Sequence, residues 1–221
     1  MQTIYQQQAQ VYNSTFLMKV MNYVALALGV TALGAWLAPL ILPPAFLLGK
    51  GIWFFFILEL MFIFTSSFWA QLDKPVNFIL FYLFAFLSGF TIYPLLIIAF
   101  HVGGTEIIVK ALVATIALSF AAGIYAKTTD RNLSGMRGFL MMGIIGLIIV
   151  GILQMFWFNS TVELISSAFG VFLFAGFIAY YIQLIQQYPE NRPIEAALAL
   201  YLSVFNLFTT VLRLLIAINR D

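Results

Sequence analysis

Cysteine is absent from the 221 residues and histidine occurs once. The first absence excludes disulfides, thiol nucleophiles and cysteine metal centres, and the second excludes a multi-histidine metal site. Charge is also scarce. Asp, Glu, Lys and Arg make up 8% of the chain, against about a quarter in a soluble domain. A net charge of +2 is too small and too scattered for a nucleic-acid-binding surface. The aspartates are Asp73, Asp130 and Asp221, all outside the apolar segments, so the paired membrane aspartates of an intramembrane protease are missing. No Ser/His/Asp set shares one depth, and no Gly-rich phosphate loop is present. These gaps speak against an enzyme and against a bound cofactor.

What the chain has is apolar length. Hydrophobic residues make up 63% and aromatic residues 17%. A helix that crosses a bilayer needs about 20 mostly apolar residues. Seven segments qualify: 20–42, 48–70, 76–100, 107–126, 137–158, 162–186 and 195–218. Between them lie Pro, Gly and polar clusters, the usual punctuation of loops. Pro43-Pro44 ends the first segment, Asp73-Lys74-Pro75 the second and His101-Val102-Gly103-Gly104 the third. The fold class expected is therefore all-α integral membrane, with a polar tail at 1–18 and a seven-helix domain at 19–221. The tail lacks a basic region and a small-residue cleavage site, so the first span is expected to act as its own signal. Trp36, Trp53, Trp69 and Trp157 lie towards span ends, where interfacial anchors sit.

Orientation follows from the basic residues near the spans. With the N-terminus in the cytoplasm, Lys19, Lys74, Lys127, Arg131, Arg137 and Arg192 fall inside, and Lys50, Lys110, Arg213 and Arg220 outside. That bias places the tail in the cytoplasm and the C-terminus outside.

Two features can carry chemistry. Glu59 lies mid-span in Gly51-Ile52-Trp53-Phe54-Phe55-Phe56-Ile57-Leu58-Glu59-Leu60. A carboxylate at that depth costs on the order of 3 kcal/mol even on lenient scales. It is either charged and paired, with Arg213 as partner, or protonated, since burial raises a carboxyl pKa. Either state can line or gate a cation path; a neutral Glu59 bonded to a neighbouring helix is the structural alternative. The second feature is a polar stripe on the last span. Glu195, Ala199, Ser203, Asn206, Thr210 and Arg213 recur at helical spacing on one face. Such a stripe faces protein or water rather than lipid, which predicts a central seventh helix surrounded by the other six. Glycines 143, 146 and 151, and Ser119 with Gly123, read as close-packing positions.

Three stretches then become informative together: Phe86-Leu87-Ser88-Gly89-Phe90-Thr91-Ile92-Tyr93-Pro94, the loop Lys127-Thr128-Thr129-Asp130-Arg131-Asn132-Leu133-Ser134-Gly135, and Ala196 through Phe208 followed by Leu212-Arg213-Leu214-Leu215. With seven spans they resemble the Bax inhibitor-1 family over almost the whole chain. The resemblance implies a central seventh helix. In members described as pH-sensitive calcium leaks it also implies a pair of aspartates. Here Tyr181 stands at one of those positions and Ser203 at the other, while Glu59 matches the acidic residue often found in helix two. Ser203 and the closing Arg220-Asp221 resemble the bacterial YccA-like branch. That branch implies an inner-membrane regulator of an FtsH-type ATP-dependent protease, engaged through its cytoplasmic tail. The alternative is a calcium or proton leak through Glu59, Tyr181, Ser203, Asn206, Thr210 and Arg213. The implied partners are the lipid bilayer, such a protease, and calcium ions or protons.

Overall fold

The computed structural model describes residues 2–185 and 191–220, with side chains from Thr15 onward. Among the described residues all regular structure is helical, as a hydrocarbon environment demands of a chain that must satisfy its own backbone. In chain order the elements are α1 (Gln2–Ile41), α2 (Pro44–Leu47), α3 (Ile52–Trp69), α4 (Val76–Thr128), a 3-10 turn (Leu133–Met136), α5 (Arg137–Phe156), α6 (Ser160–Ile185) and α7 (Pro193–Asn219). Six of these helices are long and apolar enough to cross a bilayer.

Seven spans are predicted and six long helices are found; the difference lies in α4. Its 53 residues would form a rod about 80 Å long, far beyond the roughly 30 Å hydrocarbon core. The backbone leaves helical geometry at Gly103 (φ −155°, ψ 26°) and Gly104 (φ 66°, ψ −157°). The positive φ at Gly104 is open to glycine without steric cost. The expected third and fourth spans are thus two helices that meet at Gly103–Gly104, and the predicted loop between them shrinks to that break.

Other expectations shift for similar local reasons. α1 is helical from Gln2, and the apolar span within it begins at Thr15. Trp69 is buried, 6% exposed, and its indole N–H donates to the Phe62 carbonyl at 2.9 Å. It is a packing residue, unlike the exposed Trp36, Trp53 and Trp157.

The chain forms two compact units. The first is Met1–Pro94 with Leu184–Tyr201, and the second is Leu95–Gln183 with Leu202–Asp221. α4 passes from one to the other after Pro94, where the proline ring removes a helical N–H. In the first unit a core of Ala38, Leu47, Ile52, Phe55, Leu87 and Phe90 joins α1, α2, α3 and α4. Phe55 and Phe90 stack with centroids 5.0 Å apart. α1 and α4 approach closely because two residues lack side chains. A Cβ on Gly34 would overlap the Phe86 carbonyl, and one on Gly89 would overlap the Thr31 carbonyl and the Ala35 nitrogen.

In the second unit the α5–α6 hairpin is closed by two amides. Gln154 Nε2 donates to the Asn159 carbonyl at 2.9 Å, and the Asn159 N–H donates to Gln154 Oε1 at 2.8 Å. Asn159 Oδ1 then accepts from the Val162 N–H at 3.1 Å, which caps an orphan donor at the start of α6. Of the three α5 glycines expected at close contacts, only Gly143 has one, against Leu173; Gly146 and Gly151 meet nothing within 4 Å.

Candidate functional site

The first unit contains a polar cluster among Phe and Leu side chains, built from α1, α3, α4 and α7. The α1 contribution is Thr31. Its hydroxyl lies 3.0 Å from the Ala27 carbonyl, 2.9 Å from the Ala85 carbonyl on α4, and 2.7 Å from the Tyr201 hydroxyl on α7. Tyr201 is 0% exposed and sits edge-on to Phe81 and Phe84. Its hydroxyl also lies near Ser88 on α4. Ser88 and Thr91, one turn apart and so on one face, lie beside the Glu59 carboxyl of α3. Glu59 is half-buried. A chain of side chains therefore runs from Glu59 through Ser88 to Tyr201 and Thr31.

The chemistry of this chain turns on the number of protons. A hydroxyl has one O–H to donate. Ser88 Oγ points it at the Phe84 carbonyl (3.1 Å), and Thr91 Oγ1 at the Ser88 carbonyl (3.0 Å). Each hydroxyl can serve its own helix or an ionised Glu59 carboxylate, but not both with one proton. A protonated Glu59 leaves those backbone bonds in place and donates into a hydroxyl lone pair. A cation bound at Glu59 would use the same lone pairs as ligands. The cluster is thus suited to respond to a proton or a cation at Glu59 by redirecting hydroxyls on α4. Among the described residues no group of three or more His, Cys, Asp or Glu is placed to hold a metal ion.

The other predicted site residues lie in the second unit. Ser203 is buried, Asn206 and Thr210 are half-buried, and Arg213 is exposed. The Asn206 amide donates to the Leu202 carbonyl at 2.8 Å, and Thr210 Oγ1 to the Asn206 and Leu207 carbonyls at 2.8 and 3.0 Å. These donors are directed to their own helix. The Thr210 methyl abuts Gly170 of α6. Arg213 is within electrostatic range of Glu163, and Glu163 also pairs with Arg220 at 3.0 Å. Tyr181 stacks on Phe177 with centroids 5.8 Å apart. Glu59 and Arg213, one pairing considered for the acid, belong to different compact units. Thr31, Ser88, Thr91 and Tyr201 were not anticipated as site residues. The i, i+3 spacing of Ser88 and Thr91 in α4 was the available signal.

A family profile described as inhibitor of apoptosis-promoting Bax1 matches residues 13–221. The chain belongs to the Bax inhibitor-1 family. Three bacterial relatives show the likeness at the level of direct comparison. An uncharacterized protein of Campylobacter jejuni is 30% identical over 208 residues, covering 93% of this chain and 90% of the relative. One from Rickettsia prowazekii is 31% identical over 214 residues, with 90% and 88% covered. An uncharacterized membrane protein of Streptococcus pyogenes is 28% identical over 166 residues, with 72% and 71% covered. As a Bax inhibitor-1 family protein the chain is a helical membrane protein, and its Glu59 cluster lies inside that membrane-crossing helical fold.

Proposed function

We propose that this Bax inhibitor-1 family protein is a non-enzymatic inner-membrane regulator, resembling the YccA-like branch, that modulates an FtsH-type ATP-dependent membrane protease through its N-terminal end. The observation that supports the reading is the length of α1. The apolar span begins at Thr15, yet the helix begins at Gln2. At 1.5 Å per residue the polar stretch projects about 20 Å beyond the span. In the orientation favoured by the basic residues that projection lies in the cytoplasm, with the C-terminus outside, where a membrane-tethered ATPase can grip it. The own-helix bonds of Asn206 and Thr210 fit a packed rather than a conducting α7. Buried side chains from Ile194 to Ile216 support a central place for that helix.

The test is to delete residues 1–14. The cut stops there because Phe16 and Leu17 are buried, 6% and 5% exposed. The expected result is a folded protein that no longer co-purifies with the protease or slows its proteolysis. Equal inhibition by the truncated chain would overturn the reading.

A second reading rests on the Glu59 cluster: a calcium or proton leak that uses Glu59 without an aspartate pair. It predicts flux in proteoliposomes that Glu59→Gln alters. Flux equal to that of empty vesicles at every pH would exclude it.

A further inference from the structure

The segment between α4 and α5 is tied down by one side chain from α6. Gln183 Nε2 donates to the carbonyls of Ala126 (3.2 Å) and Arg131 (3.1 Å), and Gln183 Oε1 accepts from the Leu133 N–H (3.0 Å). Two local turns complete the arrangement. Thr129 Oγ1 accepts from the Arg131 N–H, and Asn132 Oδ1 from the Ser134 N–H. All of these residues belong to the second unit. A free loop loses conformational freedom when it binds a ligand; this one is ordered beforehand.

The ordered loop presents positive charge. Lys127, Arg131 and Arg137 are exposed, with Asp130 the acidic residue among them. None of the ion pairs among the described residues uses these groups. Lys127 lies in the last turn of α4 and Arg137 is the first residue of α5. The cations therefore flank the ends of two apolar helices. One turn inward the same helices expose apolar and aromatic side chains: Ile124, Tyr125, Phe139 and Met141. A guanidinium pairs with phosphate through two parallel N–H bonds, and a surface that is cationic at its rim and apolar below it matches a phospholipid rather than a soluble anion.

We propose that this pinned basic loop binds an anionic phospholipid, its phosphate held by Lys127, Arg131 and Arg137 and its acyl chains lying along Ile124, Tyr125 and Phe139. A topology signal requires the charges alone. The lipid site also requires the fixed backbone that Gln183 provides. The assignment is independent of the protease reading.

The test uses the full chain, purified in a neutral detergent, with phosphatidylglycerol and phosphatidylcholine offered together. Retained lipids are counted by native mass spectrometry. The wild type should retain phosphatidylglycerol several-fold over phosphatidylcholine, and the preference should fall as salt rises. Combining Lys127→Gln, Arg131→Gln and Arg137→Gln should abolish it, and these exposed positions leave folding intact. Gln183→Leu, which keeps every charge, should weaken it. Equal retention of both lipids by the wild type would overturn the proposal, as would an unchanged preference in the triple variant. An unchanged preference in a folded Gln183→Leu protein would remove the pinning and leave a charge effect alone. Inorganic phosphate displacing the lipid at equal concentration would show a free-anion site instead.

Discussion

Tyr201 and Thr31, 170 residues apart in sequence, meet hydroxyl to hydroxyl at 2.7 Å. The contact joins α7 to α1 in a place where neither group has access to water, and the Ala85 carbonyl of α4 meets the same Thr31 hydroxyl. Three helices are therefore tied at one atom. Tyr201→Phe should destabilise the protein by about 1 kcal/mol, the usual net value of a buried hydrogen bond. Thr31→Val should cost more, because it also leaves the Ala85 carbonyl without this donor. A double-mutant cycle read by chemical denaturation in detergent should give a coupling of roughly 0.5–1.5 kcal/mol. Strict additivity of the two substitutions would show that the hydroxyl contact contributes nothing.

The crossing of α1 and α4 makes a second prediction. Gly89→Ala would drive a methyl group into the backbone of α1 at Thr31 and Ala35, and Gly34→Ala would meet the Phe86 carbonyl. Backbone cannot rotate away as a side chain can, so the helices must separate. Each substitution should cost at least the roughly 1–3 kcal/mol typical of overpacking, seen as a lower unfolding temperature and a weaker monomer yield. Gly146→Ala on α5 is the matched control. Nothing lies within 4 Å of its Cβ, and alanine is the better helix former by about 1 kcal/mol in water, so stability should hold or rise. Similar losses at all three positions would refute the close-approach account.

The hairpin between α5 and α6 supplies a third. Gln154→Ala removes both amide bonds that close it, whereas Asn159→Asp keeps the carboxyl-type oxygen that caps α6. Asn159→Ala, which loses the cap, should destabilise by roughly 0.5–2 kcal/mol. Amide hydrogen exchange around residues 157–163 should speed up in Gln154→Ala and Asn159→Ala and stay near wild type in Asn159→Asp. Uniform protection in all three proteins would mean the hairpin is held by packing alone.

Much of this architecture was legible in the sequence because lipid imposes a simple rule: apolar runs of about 20 residues become helices. Glu59 announced itself, since an acid in a Phe-rich run is conspicuous. The break at Gly103–Gly104 was visible as punctuation, but not as a two-residue joint between abutting helices, because hydropathy does not encode φ and ψ. Thr31 and Tyr201 were invisible for another reason. Hydroxyls are cheap enough in a membrane helix to occur anywhere, so only the packing reveals which ones meet. The stripe on α7 was read correctly as one helical face. What periodicity could not reveal is that Asn206 and Thr210 direct their donors to carbonyls one turn back. The grip of Gln183 on Ala126, Arg131 and Leu133 was hidden because it depends on residues about 50 positions away.

Glu59 itself allows a prediction that separates a structural acid from a working one. Ser88 and Thr91 already have backbone carbonyls for their protons. Removing the carboxyl therefore leaves no hydroxyl proton stranded, and Glu59→Leu fills the space with an apolar side chain of similar size. Replacing a desolvated polar group in this way is often neutral or stabilising. If Glu59 is retained for function, Glu59→Leu should unfold at the same or a higher temperature than wild type while losing its effect on protease or flux. If instead the carboxyl serves as a brace between α3 and α4, Glu59→Leu should lose stability by more than about 1 kcal/mol, with Glu59→Gln restoring most of it through its amide. Unfolding curves for wild type, Glu59→Gln and Glu59→Leu in one detergent decide between the two, and the same three proteins then enter the proteoliposome and protease measurements. A stable Glu59→Leu protein with full activity in both would leave the cluster without a role for its acid.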